Sequence, residues 1–358
     1  MNQIDNFDSR EPVTYSDGIC NDPIVYMWQG ICKYYPDTDD NVIICGTSLT
    51  YPNAETQNGV VYLGNIEGTE SLHTYAFLIP GTANTSIYGP RYNKKLLQLV
   101  GSYTTKDSTT NYGFYFKNTD FNNNSDDNQN AFLDSENYTL NLYYKDEVTA
   151  DYTNIATFAH SVDNGLIVGN SCLKPDIHTA TSYGFRIYAW IYDISTKQYF
   201  KIENPYNKSH LISCYGIVYN KKNNTYTIVG GDDGGDSKKQ TGFIADIKLI
   251  DNKIIKYINW TNMPFSINGR THFEGISKTN VENEYTISAD HLLDGKYVGF
   301  GCKVRRVKNN FVFYNKTNIS YPGASITTAN SVLDNKIVGG YKNSDGITSY
   351  QAVINTWE

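Results

Sequence analysis

The residues best suited to chemistry lie close together in the last third of the chain. His272 and Glu274 are two residues apart, and Asp290 and His291 follow shortly afterwards. Imidazole and carboxylate groups that converge on one site can act as general acid and base or can bind a divalent metal ion. We therefore take His272, Glu274, Asp290 and His291 as the candidate catalytic residues if the protein is an enzyme.

A second candidate site is a stretch of glycine and aspartate that begins at Gly230 and reads Gly-Gly-Asp-Asp-Gly-Gly-Asp. Asp232, Asp233 and Asp236 offer the hard oxygen ligands that Ca²⁺ prefers, and we predict them as metal ligands. The stretch lacks the closing glutamate of an EF-hand loop, and tight turns favour Asp and Gly for conformational reasons alone. No cofactor is predicted, while calcium or another divalent ion stays open.

A repeat indicates which elements position these residues. A short apolar run that ends in glycine, or once in alanine, occurs at 42–46, 97–101, 166–169, 227–230, 286–289 and 336–339. Glycine followed by a larger apolar residue comes after each of the first five runs, at 59–60, 113–114, 184–185, 242–243 and 299–300, and the sixth copy departs with Gln-Ala at 351–352. A third marker precedes each run, at 29–31, 88–90, 159–161, 215–217, 274–276 and 329–331. Three markers in phase predict a repeat protein rather than a chain of separate domains.

The repeat predicts an all-β fold, a six-bladed β-propeller of four-stranded blades that forms a single domain over residues 1–358. The approximate blades are 17–78, 79–144, 145–202, 203–259, 260–314 and 315–358 plus 12–16. The strand at 12–16 is expected to complete the last blade, because closure by both termini hides sheet edges that would otherwise pair with other chains. The Asn/Asp-rich tract 122–130 is predicted to be a loop of the second blade.

Composition excludes some classes of function. The net charge is −7 and no basic stripe is present, so nucleic acid is not expected as a partner. No run approaches the twenty apolar residues of a membrane-spanning helix. The first dozen residues are polar and acidic, which predicts no signal peptide and a protein that is cytoplasmic or exported by a non-classical route.

The last repeat reads Thr-Ala-Asn-Ser-Val-Leu-Asp-Asn-Lys-Ile-Val-Gly-Gly-Tyr over 328–341. It resembles the bacterial HAF-type extracellular repeats, whose units place an Ala-x-x-Ile-Asn strand before a Val-Val-Gly strand and an aromatic Phe-Leu strand. The pattern covers most of the chain, with Gly-Phe in place of the family's Ala-Phe. The resemblance implies a propeller-like repeat and no particular chemistry.

The leading functional prediction is a non-catalytic recognition or scaffold propeller that binds a glycan or protein partner through its rim loops. The chain has 31 tyrosines, and an exposed aromatic ring suits a sugar or a protein hot spot, although β-propensity also explains tyrosine abundance. His160 is included among the candidate ligand contacts because it occupies, near the propeller axis, a position that is glycine in most of the repeats. The candidate ligand contacts are Tyr51, Tyr103, Tyr206, Trp260, Tyr341 and His160. The alternatives are a glycan-acting hydrolase or lyase with a His/carboxylate site on the fourth and fifth blades, and a structural subunit of a surface or virion assembly.

Overall fold

The computed structural model describes most of the chain. The described residues are 13–17, 25–34, 41–49, 56–67, 71–108, 110–122, 125–142, 155–173, 186–234, 240–250, 254–263, 270–293, 295–344 and 346–357. Within them the chain folds into six four-stranded antiparallel sheets, which we name blades 1 to 6. The predicted six-bladed β-propeller is confirmed.

The first three blades follow one another along the chain. Blade 1 contains β2 (Val25–Lys33), β3 (Val42–Leu49), β4 (Gln57–Gly64) and β5 (Ser71–Phe77), after the N-terminal strand β1 (Val13–Asp17). Blade 2 contains β6 (Thr82–Asn93), β7 (Leu96–Thr105), β8 (Tyr112–Asn118) and β9 (Tyr138–Leu142). Blade 3 contains β10 (Ile155–Asp163), β11 (Leu166–Leu173), β12 (Arg186–Asp193) and β13 (Gln198–Lys201).

The remaining blades repeat this order. Blade 4 contains β14 (Ile212–Asn220), β15 (Thr225–Asp232), β16 (Thr241–Ile250) and β17 (Ile254–Met263). Blade 5 contains β18 (Thr271–Lys278), β19 (Glu284–Leu293), β20 (Lys296–Val307) and β21 (Asn310–Ile319). Blade 6 contains β22 (Ile326–Leu333), β23 (Lys336–Asn343), β24 (Gly346–Ile354) and β1. The strands β17 and β21 extend past the blade boundaries that we expected at 259 and 314.

The two termini close the ring in blade 6. The strand β1 pairs antiparallel with β24, with Val13 opposite Ile354 and Tyr15 opposite Ala352. The Tyr15 ring also packs edge-on against Tyr321, with ring centroids 5.2 Å apart. The N-terminal strand therefore forms the outer edge of the last blade, as the repeat count predicts.

The continuous apolar runs of the second strands reflect burial on both faces. Ile43 and Cys45 of β3 pack into the core between blades 1 and 2, whereas Val42 and Ile44 pack into the core between blades 1 and 6. Six such cores separate the neighbouring blades. A strand buried on both faces needs apolar residues at successive positions, so it loses the alternation of a half-exposed strand.

The tract 122–130 is not a simple loop, because it enters the helix α1 (Ser125–Leu133). Phe132 stacks on Phe77 with ring centroids 4.4 Å apart, and the buried Asn128 donates to the Tyr75 hydroxyl at 3.0 Å. These contacts fix α1 against blade 1, although it is inserted between β8 and β9 of blade 2. Short 3-10 turns cover Ser135–Asn137 and Asn355–Trp357. Among the described residues, none of the helices could cross a membrane.

Candidate functional site

Every inner strand carries a β-bulge at the same place. In each blade the register between the first and second strands skips one residue, which faces no partner in the ladder. The skipped residues are Gln29, Tyr88, His160, Tyr215, Glu274 and Asn330. All six line a central cavity of about 1090 Å³ that also includes the hairpins following the inner strands. We call these six residues the bulge ring.

The bulge explains the glycine that ends the apolar run of the second strand. A Cβ atom on Gly230 would lie 1.9 Å from the backbone oxygen of Ser213, and one on Gly101 would lie 2.0 Å from that of Ser86. Both oxygens precede the bulge of the inner strand by two residues. In blades 2 and 4 the glycine therefore leaves room for the bulged inner strand, whereas blade 5 places Ala289 opposite its own bulge.

The register corrects the alignment of the repeats by one residue in blade 3. Ser161 pairs with Val168 in the way that Gly216 pairs with Val229, so Ser161 takes the glycine position. His160 belongs to the bulge ring instead. Its side chain reaches the cavity because the bulge turns it there, and not because a histidine replaces a glycine.

The pair of residues that marks the third strand of each blade, such as 59–60 in blade 1, also lies elsewhere than expected in two blades. The residue opposite the glycine of the second strand is Trp190 in blade 3 and Tyr350 in blade 6, and both are fully buried. The expected pair 351–352 lies two residues past the observed pair Ser349 and Tyr350, and 184–185 lies outside the described residues. A large ring at this position fills the space between blades.

Aromatic rings connect the bulge ring to the inner strand of blade 5. The Tyr88 and His160 rings are 5.1 Å apart, those of His160 and Tyr215 are 4.7 Å apart, and those of Tyr215 and His272 are 5.6 Å apart. Burial lowers the pKa of His160 to about 4 against the opposing influence of Glu274. His160 is therefore neutral at neutral pH and serves as a ring surface.

Three of the four predicted catalytic residues meet at blade 5. One side-chain ligand atom each of His272, Glu274 and Asp290 lies within 4.8 Å of the others. His272 and Glu274 lie two residues apart on β18 and form a direct hydrogen bond through Nε2 and Oε1. His272 also faces Asp290 across the β18–β19 ladder, and the Asp290 Oδ1 accepts a hydrogen bond from the backbone N–H of Ala329 at 2.7 Å. We call these three residues the blade 5 cluster.

The members of the cluster differ in exposure and charge. The side chains of His272 and Glu274 are 21% and 19% exposed, whereas Asp290 is buried. Burial, followed by the charge of Glu274, raises the pKa of Asp290 to about 7. Burial lowers the pKa of His272, but the charge and hydrogen bond of Glu274 outweigh it and bring the pKa to about 9. At neutral pH the cluster thus holds an imidazolium beside Glu274 and a second carboxyl that is partly protonated.

The blade 5 cluster could also hold a divalent ion, since its ligand atoms converge. A metal would have to displace the proton of His272, because only a neutral imidazole coordinates. The elevated pKa of His272 therefore opposes metal binding near neutral pH. The contact between His272 and Glu274 is an ion pair.

His291 does not join the cluster, although it follows Asp290 directly. Its ring packs 5.1 Å from that of Phe300, and its Nδ1 lies 3.4 Å from the Nζ of Lys316. Burial, followed by the charge of Lys316, lowers the pKa of His291 to about 4. Adjacent residues of a strand point to opposite faces, which explains why Asp290 and His291 separate.

The predicted metal ligand Asp232 is fully buried and accepts hydrogen bonds at both oxygens. Asn204 and Asn262 donate to Oδ2 at 2.6 and 2.8 Å, and the backbone N–H of Gly234 donates to Oδ1 at 2.9 Å, where His210 also lies at 2.8 Å. Asp233 caps the N–H of Leu211 at 2.9 Å, although its carboxylate lies near His210 and Asp232. Asp236 lies outside the described residues. The contacts of Asp232 join the connection between blades 3 and 4, the backbone after β15, and the strand β17.

The predicted rim aromatics have different environments. Trp260 is buried and stacks on Phe243 with ring centroids 4.2 Å apart, and Tyr103 is buried with its hydroxyl donating to Asn141 at 2.8 Å. The expectation of exposed rings at these two positions is corrected, because their strands pack between blades. Tyr341 is half-buried and stacks on Tyr321 at 3.7 Å. Tyr206 is 81% exposed, and Tyr51 lies outside the described residues.

Sequence reasoning predicted Glu274 and His160 as site residues but missed Gln29, Tyr88, Tyr215 and Asn330 as cavity residues. The available signal was the residue just before the glycine or serine of the third marker, which is polar or aromatic in every repeat.

The sequence matches no family model and no curated protein. Among solved structures, the chain is similar to a GH93 α-L-arabinofuranosidase of Fusarium graminearum in complex with arabinobiose, at 8% identity and a TM-score of 0.49 over 94% of each chain. A second structure of an α-L-arabinofuranosidase from that organism, with an iminosugar inhibitor, has 9% identity and a TM-score of 0.48 over 96% of each chain. A GH43 endo-arabinanase from Bacillus licheniformis has 9% identity and a TM-score of 0.42 over 94% of this chain and 95% of that one.

These comparisons correct the leading functional prediction. The similar solved structures are glycoside hydrolases, which agrees with the alternative of a glycan-acting hydrolase and not with the leading prediction of a non-catalytic recognition or scaffold propeller, and that prediction is not carried further. At these identities and TM-scores the similarity itself says nothing about residues or substrate. Any catalytic role must be argued from the side chains of this chain.

Proposed function

We propose that the protein is a glycan-acting hydrolase whose catalytic residues belong to the blade 5 cluster. The observation that supports this most strongly is the pair of carboxyl groups of Glu274 and Asp290, with oxygens within 4.8 Å of each other. Retaining glycosidases place their two carboxyl groups about 5–5.5 Å apart, whereas inverting enzymes need about 6.5–9.5 Å to admit a water molecule. The spacing therefore favours the retaining reaction.

The environments of the two carboxyl groups assign their roles. The pKa of Asp290, raised to about 7 by burial and by Glu274, suits a general acid near neutral pH. Glu274 is hydrogen-bonded to His272, which holds its carboxyl group in place. Glu274 also lines the central cavity, where a substrate would meet it.

The reaction would proceed in two balanced steps. Glu274 attacks the anomeric carbon as the bond to the leaving oxygen breaks, and Asp290 transfers its proton to that oxygen. Asp290, now ionised, then takes a proton from water, and the water oxygen displaces Glu274 from the sugar. His272 orients Glu274 and compensates part of its charge, and we regard it as a positioning residue.

The cavity has the size and lining that a sugar requires. Its volume of about 1090 Å³ is at the upper end of the usual range for small-molecule sites, about 300–1,000 Å³. The rings of Tyr88 and Tyr215 and the amides of Gln29 and Asn330 line it together with Glu274. Such a combination offers apolar ring faces together with hydrogen-bonding groups that fix orientation.

The experiment is a screen of purified protein against neutral and acidic oligosaccharides, including arabino-oligosaccharides, with product analysis by mass spectrometry. We expect one class to be cleaved with the addition of one water, and we expect Glu274→Gln to reduce kcat at least about 10³-fold, as the loss of a nucleophile requires. Tyr206→Ala is the matched control, because this exposed residue is absent from the cavity. Unsaturated products without added water, or full activity of Glu274→Gln, would contradict the proposal.

A further inference from the structure

Positive charge collects around the cavity of a protein whose net charge is −7. Four cationic side chains from blades 1, 2, 4 and 5 line the cavity beyond the bulge ring, together with two aspartates from blades 3 and 6. The cationic residues are Lys33, Arg91, Lys221 and Lys278, and the aspartates are Asp163 and Asp334. The half of the cavity away from Glu274 is therefore cationic.

The aspartate on the blade 3 side is already used within the protein. Asp163 is buried, and its Oδ1 lies 3.0 Å from the Nε of Arg91 while its Oδ2 accepts the backbone N–H of Tyr219 at 2.8 Å. These contacts join blades 2, 3 and 4 below the bulge ring. The Arg91 side chain keeps 43% of its surface exposed, so part of its guanidinium still faces the cavity.

Lys278 lies next to this group. Its Nζ donates to the backbone oxygen of the same Tyr219, which accepts a hydrogen bond but brings no full negative charge. Burial lowers the pKa of Lys278, Asp163 opposes the shift, and Arg91 and Arg306 add to it. Arg91 and Lys278 line the same wall of the cavity and contact Asp163 and Tyr219, which are joined by a hydrogen bond, so an anion bound there would meet two positive charges.

We propose that this site takes an anionic oligosaccharide, with an acidic group of the substrate held by Lys278 and Arg91 while Glu274 acts on the glycosidic bond. The inference rests on the proposed function for the reaction and on the charged cavity wall for the substrate class. Lys278 follows Glu274 by four positions on β18, which corresponds to about 13 Å at about 3.3 Å per residue. The acidic group therefore belongs to a sugar unit separated from the cleavage point, and the substrate is an oligosaccharide rather than a single glycoside.

Binding is measured by isothermal titration calorimetry with Glu274→Gln, so that turnover does not interfere. The probes are galacturonate oligosaccharides of several units, the same oligosaccharides after reduction of their carboxyl groups, and sulfated oligosaccharides of similar length. The first and third probes distinguish a carboxylate from a sulfate ligand. Each titration is repeated at about 0.05 M and about 0.5 M salt, since exposed charges are strongly screened at the higher concentration.

We expect an acidic probe to bind at least about tenfold more tightly than the reduced one at low salt, and the difference to shrink at high salt. Adding Lys278→Ala to Glu274→Gln should weaken acidic binding about tenfold, the size of one charge-assisted hydrogen bond, and leave neutral binding unchanged. Adding Lys248→Ala instead should change neither, because Lys248 is exposed on β16 and does not line the cavity.

Equal affinity for charged and reduced probes, no binding of either acidic class, or no effect of Lys278→Ala would overturn the inference. The result is separable from the proposed function. Selective acidic binding by a wild-type protein that cleaves nothing would reject the hydrolase alone, whereas cleavage of neutral glycans without charge preference would reject the anionic substrate alone.

Discussion

Replacement of Gly230 by alanine tests whether the bulges that build the cavity depend on the recurring glycine. The added Cβ would lie 1.9 Å from the backbone oxygen of Ser213, whereas Cβ atoms essentially never approach other heavy atoms within 3.0 Å. The oxygen belongs to the backbone, so no rotation of a side chain relieves the clash. The inner strand of blade 4 must move by about 1 Å, and Tyr215, two residues along, moves with it.

The expected cost is large because the site is fully enclosed. Overpacking of a well-packed interior costs about 1–3 kcal/mol, and a shift of backbone rather than side chain places this substitution at the upper end, about 3 kcal/mol. Blade 5 provides the control, since Ala289 occupies the equivalent position opposite its own bulge. Ala289→Gly removes one buried methyl group and increases the conformational freedom of the unfolded backbone. It should lower the free energy of unfolding by about 1–2 kcal/mol.

Equilibrium unfolding in urea, followed by tryptophan fluorescence, gives the free energy of unfolding of both variants and of the wild type. Gly230→Ala should be less stable than Ala289→Gly, and it should bind an oligosaccharide ligand more weakly because Tyr215 is displaced from His272. If Gly230→Ala lost less than about 1 kcal/mol and kept its ligand affinity, the argument that the bulge of blade 4 depends on Gly230 would be refuted.

Three further predictions concern single interactions. With a cleavable oligosaccharide, kcat/KM should fall as pH rises through about 7, because Asp290 must keep its proton to act as the acid, and a profile that stays flat to pH 9 would count against that role. Arg306→Ala leaves Asp246, whose side chain is 4% exposed, without its guanidinium partner and should lower the free energy of unfolding in urea by about 3–5 kcal/mol. The control Lys222→Ala removes the exposed ion pair with Glu282 and should cost less than about 1 kcal/mol. Phe132→Ala should lower the free energy of unfolding by about 3–5 kcal/mol, because α1 loses its contact with Phe77. The control Leu133→Ala changes a side chain that is 54% exposed and should stay within about 0.5 kcal/mol of the wild type in the same measurement.

The fold could be predicted from sequence because the second strand of each blade is packed in the same way. Each second strand is buried on both faces, and in five blades it ends at a glycine where the bulged partner strand leaves little room for a Cβ, so apolar runs ending in a small residue mark the blades. The closing role of 12–16 follows by counting, since the last repeat has three strands of its own.

The details of each blade were harder to predict, because the same space can be filled by different residues. Ser161 replaces the inner glycine in blade 3, and Trp190 and Tyr350 replace the expected residues of the third strand, so a search for identical pairs placed those markers wrongly. The helix α1 has a polar sequence and is fixed by Asn128 and Phe132, which contact a blade that is distant in sequence.

The candidate site could be predicted only in part, because strand direction decides which side chains meet. His272, Glu274 and Asp290 converge across β18 and β19, whereas His291 turns to the other face of β19. Asp232 and Asp233 meet His210, and Asp232 also accepts from Asn204 and Asn262, so its partners come from segments that only the fold brings together.

The most direct test of the central claim is the anomeric configuration of the first product, followed by proton NMR during cleavage of an oligosaccharide. The separation of Glu274 and Asp290, within 4.8 Å, predicts that the product initially keeps the configuration of the substrate bond. Initial formation of the opposite anomer would contradict a nucleophilic Glu274, because a single displacement by water needs a wider separation than this site has.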